Sequence, residues 1–83
     1  MNFEYIESYL AVCKYKSISE AAKSLYISQP TLTNRLKKLE EYLDVTLFER
    51  SWKGIQLTGK GKEFLPHALN MATILSELQA LSV

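Results

Sequence analysis

The sequence has few of the residues that cross-link, break or bend a chain. Its 83 residues include one cysteine, Cys13, along with two prolines and three glycines. A lone cysteine excludes an internal disulfide, and a chain with no leader pattern at its N-terminus fits a reducing, cytoplasmic compartment. There is a single histidine, His67, and no carboxylate cluster at a catalytic spacing, so the residues give no support to an enzyme. No metal signature and no cofactor motif is present. His67 reads as a surface residue and Cys13 as a small core residue. No apolar run approaches the roughly 20 residues that cross a bilayer, and no lipidation signal is present, so no membrane contact is expected. The scarcity of glycine leaves no flexible linker, and there is no internal repeat or low-complexity tract.

What is present suits one small domain. A chain of this length buries a limited core and often gains stability from a partner. Hydrophobic residues make up 47% and charged residues 23%, the mixture of a folded soluble domain rather than of a disordered tail. The net charge of +1 conceals a division along the chain. Residues 14 to 62 hold all ten Lys and Arg against five acids, whereas Glu4, Glu7, Glu63 and Glu77 make the two ends acidic. A basic middle suggests one face for a polyanion and another for something else, although a modest basic excess also occurs on surfaces that bind nothing.

Phe3, Ile6, Leu10 and Cys13 recur at three-and-four spacing and predict a first amphipathic helix over residues 2–16, its stripe widened by Tyr5, Tyr9 and Tyr15. Ser17-Ile18-Ser19-Glu20 has the form of a capping box and starts a second, short helix at Ile18, with Ala21 and Ala22 small enough for another helix to cross closely. After Tyr26 and Ile27, Ser28 is a good N-cap for a third helix. Pro30 suits its first turn, where a missing N–H has no intrahelical partner to lose. Leu32, Leu36, Leu39 and Leu43 then mark one buried face of about four turns. Residues 49–57 read as a two-stranded hairpin with a turn at Gly54. Thr58 caps a fourth helix expected to run to the end of the chain, with a bend at Pro66. Its apolar residues, Phe64, Leu65, Ala68, Leu69, Met71, Ala72, Ile74, Leu75, Leu78 and Leu81, form a stripe wider than one small core requires, so something else should cover the remainder. The pattern is still running at Leu81, as expected of a segment of a longer protein.

Two helices joined by a tight turn, the second with a polar N-terminal half, make a helix-turn-helix, and a basic hairpin makes it winged. A major groove admits one helix, whose N-terminal side chains reach base edges. On the third helix the side opposite the leucines carries Pro30, Asn34, Lys37 and Glu41, with Thr31, Thr33 and Lys38 on the shoulders and Gln29 at the start. Gln and Asn bond two ways to adenine, Thr offers a hydroxyl or a methyl, and Lys neutralises phosphate or contacts guanine. Gln29, Pro30, Thr31, Thr33 and Asn34 are therefore the candidates for reading bases. Ser28, Arg35, Lys37, Lys38, Arg50 and Lys53 are those for phosphate and wing contacts, with Arg35 placed to join either set. The repulsion of Glu41 for phosphate implies that only the first two turns enter the groove. Trp52, between the wing cations, reads first as a structural cover beneath the hairpin and second as a group that stacks on sugar or base.

The stretches "SISEAAKSLYISQPTLTNRLKKLE", "LFER" and "IQLTGKGKEFLPHA" together resemble the N-terminal winged helix-turn-helix domain of the LysR-type transcriptional regulators of bacteria, over Phe3 to about Leu75. The family's Ser-Gln-Pro falls on Ser28, Gln29 and Pro30, and its Leu-Glu pair on Leu39 and Glu40. Its Leu-Phe-x-Arg falls on Leu47, Phe48 and Arg50, and its Leu-Thr-x-x-Gly on Leu57, Thr58 and Gly61. The resemblance implies a mainly α fold, with a winged helix-turn-helix DNA-binding domain at 1–57 and a long linker helix at 58–83. It implies a homodimer through that linker, using Phe64, Leu65, Ala68, Leu69, Ala72, Leu75 and Leu78, on double-stranded DNA at an interrupted palindrome. It also implies a small-molecule effector bound by a further, C-terminal domain; dimer and tetramer both stay open for the full-length protein. Three positions depart from the family pattern. Lys16 and Asp44 stand where glycine is usual, so each turn must either relax or accept a left-handed residue, which Asp tolerates better than Lys. Asn34 stands where arginine or another long polar residue is frequent. The rival reading is a winged helix used only for protein association, which the wide apolar stripe favours and the basic middle opposes.

Overall fold

The computed structural model describes residues 2–81 as α1 (Phe3–Tyr15), α2 (Ile18–Ser24), α3 (Gln29–Leu43), β1 (Phe48–Ser51), β2 (Gly54–Leu57) and α4 (Gly59–Ala80). This is a winged helix-turn-helix followed by a long helix. The expected continuation of the last helix over residues 82 and 83 lies outside the described residues.

Local hydrogen bonds set the helix starts. The side-chain oxygens of Asn2, Ser17, Ser28 and Thr58 accept from the backbone N–H groups of Glu4, Glu20, Thr31 and Gly61, supplying partners to donors that the first turn leaves open. The capping box at Ser17 forms by half. Its hydroxyl accepts from the Glu20 N–H at 3.1 Å, while the Glu20 carboxylate meets Lys23 at 3.5 Å rather than reaching back. Pro30 sits in the first turn of α3, as expected. α4 continues through Pro66, which takes away the N–H that would have bonded the carbonyl four residues earlier.

The chain leaves α1, α2 and α3 through left-handed residues, Lys16 (φ 53°), Tyr26 (φ 57°) and Asp44 (φ 55°). At Lys16 and Asp44 the turns have not relaxed around the missing glycines; the side-chained residues adopt the glycine conformation.

Ile6, Tyr9 and Val12 of α1, Ala21 and Ala22 of α2, Leu32, Leu36 and Leu39 of α3, Leu47, and Ala68 of α4 form the core. The buried face of α1 is centred on Ile6, Tyr9 and Val12. Phe3, Leu10 and Cys13, expected at its centre, pack half-buried at its edge. The reason is Tyr9, whose hydroxyl donates to the Gly61 carbonyl. Its ring lies 5.4 Å from that of Phe48 and edge-on at 4.9 Å to that of Phe64. One side chain thus joins α1 to the wing and to α4. Burial raises the Tyr9 phenol well above its ordinary range, with Cys13 contributing, and burial likewise raises the Cys13 thiol. A thiol held protonated in this way is a packing group rather than a nucleophile.

Gly61 is where α4 meets the segment leading into β1. A Cβ there would stand 2.1 Å from the Leu47 carbonyl oxygen and 2.9 Å from a Leu57 methyl, so the approach admits only glycine. Thr58 closes the same junction: its N–H donates to the Leu47 carbonyl at 2.9 Å and its hydroxyl to the Thr46 carbonyl.

Candidate nucleic-acid interface

The leucine face of α3 fixes what the opposite face presents. With Leu32, Leu36 and Leu39 buried, the side chains of Gln29, Pro30, Thr33, Asn34 and Lys37 line one shallow depression on the solvent side. These are five of the groove-reading and phosphate candidates, gathered on the first two and a half turns. Thr31 and Lys38 are exposed on the flanks. Ser28 and Thr31 are partly committed to the helix start: the Ser28 hydroxyl donates to the Thr31 hydroxyl at 2.9 Å and accepts from the Thr31 N–H at 3.2 Å. Glu41 is exposed further along the helix, beyond the depression.

Arg35 is a correction. Its guanidinium lies 3.3 Å from the Glu4 carboxylate, and its side chain is only 19% exposed. The position falls on the side of α3 that meets α1, so the cation ties two helices together and leaves the groove-facing set.

β1 and β2 pair antiparallel with Phe48 opposite Leu57, Glu49 opposite Gln56, Arg50 opposite Ile55 and Ser51 opposite Gly54. Two residues, Trp52 and Lys53, make the turn, and Gly54 takes φ 100°, which L side chains rarely adopt. The hairpin projects past the core. Trp52, expected first as a cover beneath the hairpin, is 91% exposed at the tip, with the Lys53 ammonium 5.4 Å from its ring centroid. Trp52 stands in the turn itself, beyond the last ladder pair Ser51–Gly54, so it has no inward-facing strand position, which is why that expectation fails. Arg50 is exposed on β1.

Glu40 holds the wing to α3. Its carboxylate accepts from the Leu47 N–H at 2.6 Å and the Phe48 N–H at 3.3 Å. This gives the Leu39-Glu40 pair a physical meaning: Leu39 is buried in the core, while Glu40 satisfies two backbone donors where β1 begins. Neighbouring sequence gives no sign of this bond, because its partners stand seven and eight residues away.

The description "Bacterial regulatory helix-turn-helix protein, lysR family" matches residues 3–62. The chain belongs to the LysR family. Over 71 residues it is 38% identical to the HTH-type transcriptional regulator CitR of Bacillus subtilis, a match covering 86% of this chain and 24% of CitR. The chain therefore spans about a quarter of that relative's length. The crystal structure of CbnR, a LysR family transcriptional regulator, superposes with a TM-score of 0.93 at 35% identity, covering 99% of this chain and 28% of CbnR. A crystal structure of the CbnR_DBD-DNA complex superposes with a TM-score of 0.91 at the same identity, covering 99% of this chain and 94% of that one.

In this LysR-family chain, three of the seven residues expected to dimerise through the last helix have other work. Ala68 is fully enclosed in the chain's own core, a correction that follows from its small side chain sitting where α4 crosses nearest to the core. Phe64 packs its ring on Tyr9, and Leu65 leans on the same core. Ala72 and Leu75 are half-buried beside α1 and α2, while Leu69 and Leu78 are exposed. Ile74 and Leu81 are exposed as well. Ile74, Leu78 and Leu81 stack at four-and-three spacing on one flank of the buried stripe. Among the described residues, no helix is long and apolar enough to cross a membrane.

Proposed function

We propose that this chain is the DNA-binding part of a bacterial LysR-type transcription regulator. Residues 1–57 grip double-stranded DNA, residues 58–83 serve as the linker helix of a homodimer, and an effector-binding domain elsewhere in the full-length protein controls transcription in response to a small molecule. The observation that carries this reading is the gathering of Gln29, Pro30, Thr33, Asn34 and Lys37 on one open face of α3, beside a wing that exposes Arg50, Trp52 and Lys53. The likeness to a LysR-family domain in complex with DNA supports it.

In this mechanism α3 enters the major groove by its first turns. Gln29, Asn34, Thr31 and Thr33 contact base edges and methyl groups, with Pro30 packing beside them. Lys37, Lys38, Arg50 and Lys53 hold phosphates on either side, while Ser28 starts the helix and presents its amide end to the backbone. Among the described residues, the Gln29 N–H is the first-turn donor left for that contact, since Pro30 has none and Thr31 bonds Ser28. The exposed residues Ile74, Leu78 and Leu81 on one flank of α4 pair with a second copy, setting two recognition helices roughly 34 Å or more apart on an interrupted palindrome. The role requires no catalytic step, no cofactor and no membrane, and it places the protein in the cytoplasm on the nucleoid.

Selection of random duplexes on the purified chain tests this. One motif is expected to be enriched. Gln29→Ala and Asn34→Ala are expected to relax the preference at one or two positions, by about 1–3 kcal/mol of discrimination each, more than they lower binding to unrelated duplex. Equal loss on all sequences in both variants would overturn the base-reading assignment.

A further inference from the structure

Lys16 holds a left-handed backbone conformation at the end of α1, where its N–H closes the helix on the Val12 carbonyl at 2.8 Å. Glycine would do this at lower cost, and the Lys16 side chain is exposed rather than packed. Its charge has company. Lys16 and Arg50 line one depression between the α1–α2 turn and the turn end of the wing, and Lys16 and Lys62 line a neighbouring one beside Phe48 and Leu57 at the wing root. Lys16 is thus shared by two depressions, with Arg50 in one and Lys62 in the other.

No carboxylate lies among the lining residues of either depression. Among the described residues, the ion pairs engage Lys23, Arg35 and Lys60, not these three. Glu49, next to Arg50 on β1, falls on the opposite face of the hairpin by strand alternation. Like charges that line one depression with no acid among them repel one another, and an anion shared between them relieves the repulsion.

We propose that Lys16 and Arg50 form a phosphate notch between the α1–α2 turn and the wing that holds one backbone phosphate of duplex DNA, with Lys62 adding its charge from the neighbouring depression. The inference rests on the DNA-binding reading above and adds a contact outside the recognition helix and the wing tip. Lys16 serves as a point charge on a flexible stem, able to meet the phosphate that Arg50 approaches from the strand. It positions the domain and carries no sequence information.

The test measures the affinity of the chain for duplex DNA as a function of salt, with thermal melting in parallel. Lys16→Gly relieves the left-handed backbone and removes the charge, so its thermal midpoint should rise while its affinity falls about three- to tenfold and its salt slope becomes shallower by about one. Lys16→Gln keeps the backbone cost and loses the charge; it should melt like the parent and lose the same affinity. Lys16→Arg should keep both affinity and slope. Parental affinity and slope in both Lys16→Gly and Lys16→Gln would overturn the notch while leaving the DNA-binding reading intact. A parent chain that does not bind duplex DNA would overturn that reading and the notch with it.

Discussion

At the scale of single residues, the tightest constraint in the molecule is an absent side chain. The Gly61 backbone lies against the Leu47 carbonyl and receives the Tyr9 hydroxyl, so the first turn of α4, the lead into β1 and the middle of α1 meet at one point. A methyl at 2.1 Å from a backbone oxygen has no flexible partner to push aside. Gly61→Ala is therefore expected to cost about 3 kcal/mol or more in urea unfolding, above the ordinary range for adding one carbon to a packed site. A loss under about 1 kcal/mol would show that α4 shifts freely against the wing. The left-handed residues are the converse case. Lys16, Tyr26 and Asp44 keep side chains where glycine is easier, and Tyr26 holds its ring 96% exposed, so its own packing does not account for that conformation.

At the scale of elements, α3 and the wing are joined by Glu40, which bonds the backbone at the start of β1. Glu40→Ala strands the Leu47 N–H beside a fully buried Leu47, and is expected to lower stability by about 2 kcal/mol and to raise hydrogen exchange in the wing. Glu40→Gln, which keeps a carbonyl acceptor, should lose less. Equal exchange in the parent and Glu40→Ala would show that the wing is held by its apolar contacts alone.

The elements themselves were legible in the sequence, because their signals are local. A cap needs an oxygen and an N–H two or three residues apart, so Ser17, Ser28 and Thr58 mark their helices by themselves, and the leucines of α3 mark its buried face. The misreadings fall on residues whose surroundings come from distant sequence. Arg35 looked free for phosphate until α1 brought Glu4 beside it. Trp52 read as a cover beneath the hairpin until the register placed it in the turn, beyond the last ladder pair. Ala68 fitted a dimer stripe and instead sits where α4 crosses closest to its own core. On the exposed face of α3, the grouping of Gln29, Pro30, Thr33, Asn34 and Lys37 was legible because one helix alone sets their common side.

At the scale of the whole molecule, the chain divides into a basic middle and acidic ends, and its second half carries apolar side chains that one small core leaves outside. Under the proposed function the two features serve two partners: a polyanion at α3 and the wing, and a second copy at α4. Ile74→Lys together with Leu78→Lys is expected to leave the fold intact and convert a dimer into a monomer in sedimentation, with weaker binding to a two-half-site duplex and unchanged binding to a single half-site. Unchanged sedimentation would place the dimer contact elsewhere.

The central claim, that the exposed face of α3 and the wing grip duplex DNA, is tested most directly by affinity for duplex DNA measured across salt concentration. With Lys37, Lys38, Arg50 and Lys53 on phosphates, log affinity is expected to fall against log salt with a slope of about −3 or steeper per protomer, and Lys37→Ala with Arg50→Ala should make it shallower by about two. Affinity that is absent, or that does not change with salt, would contradict the account.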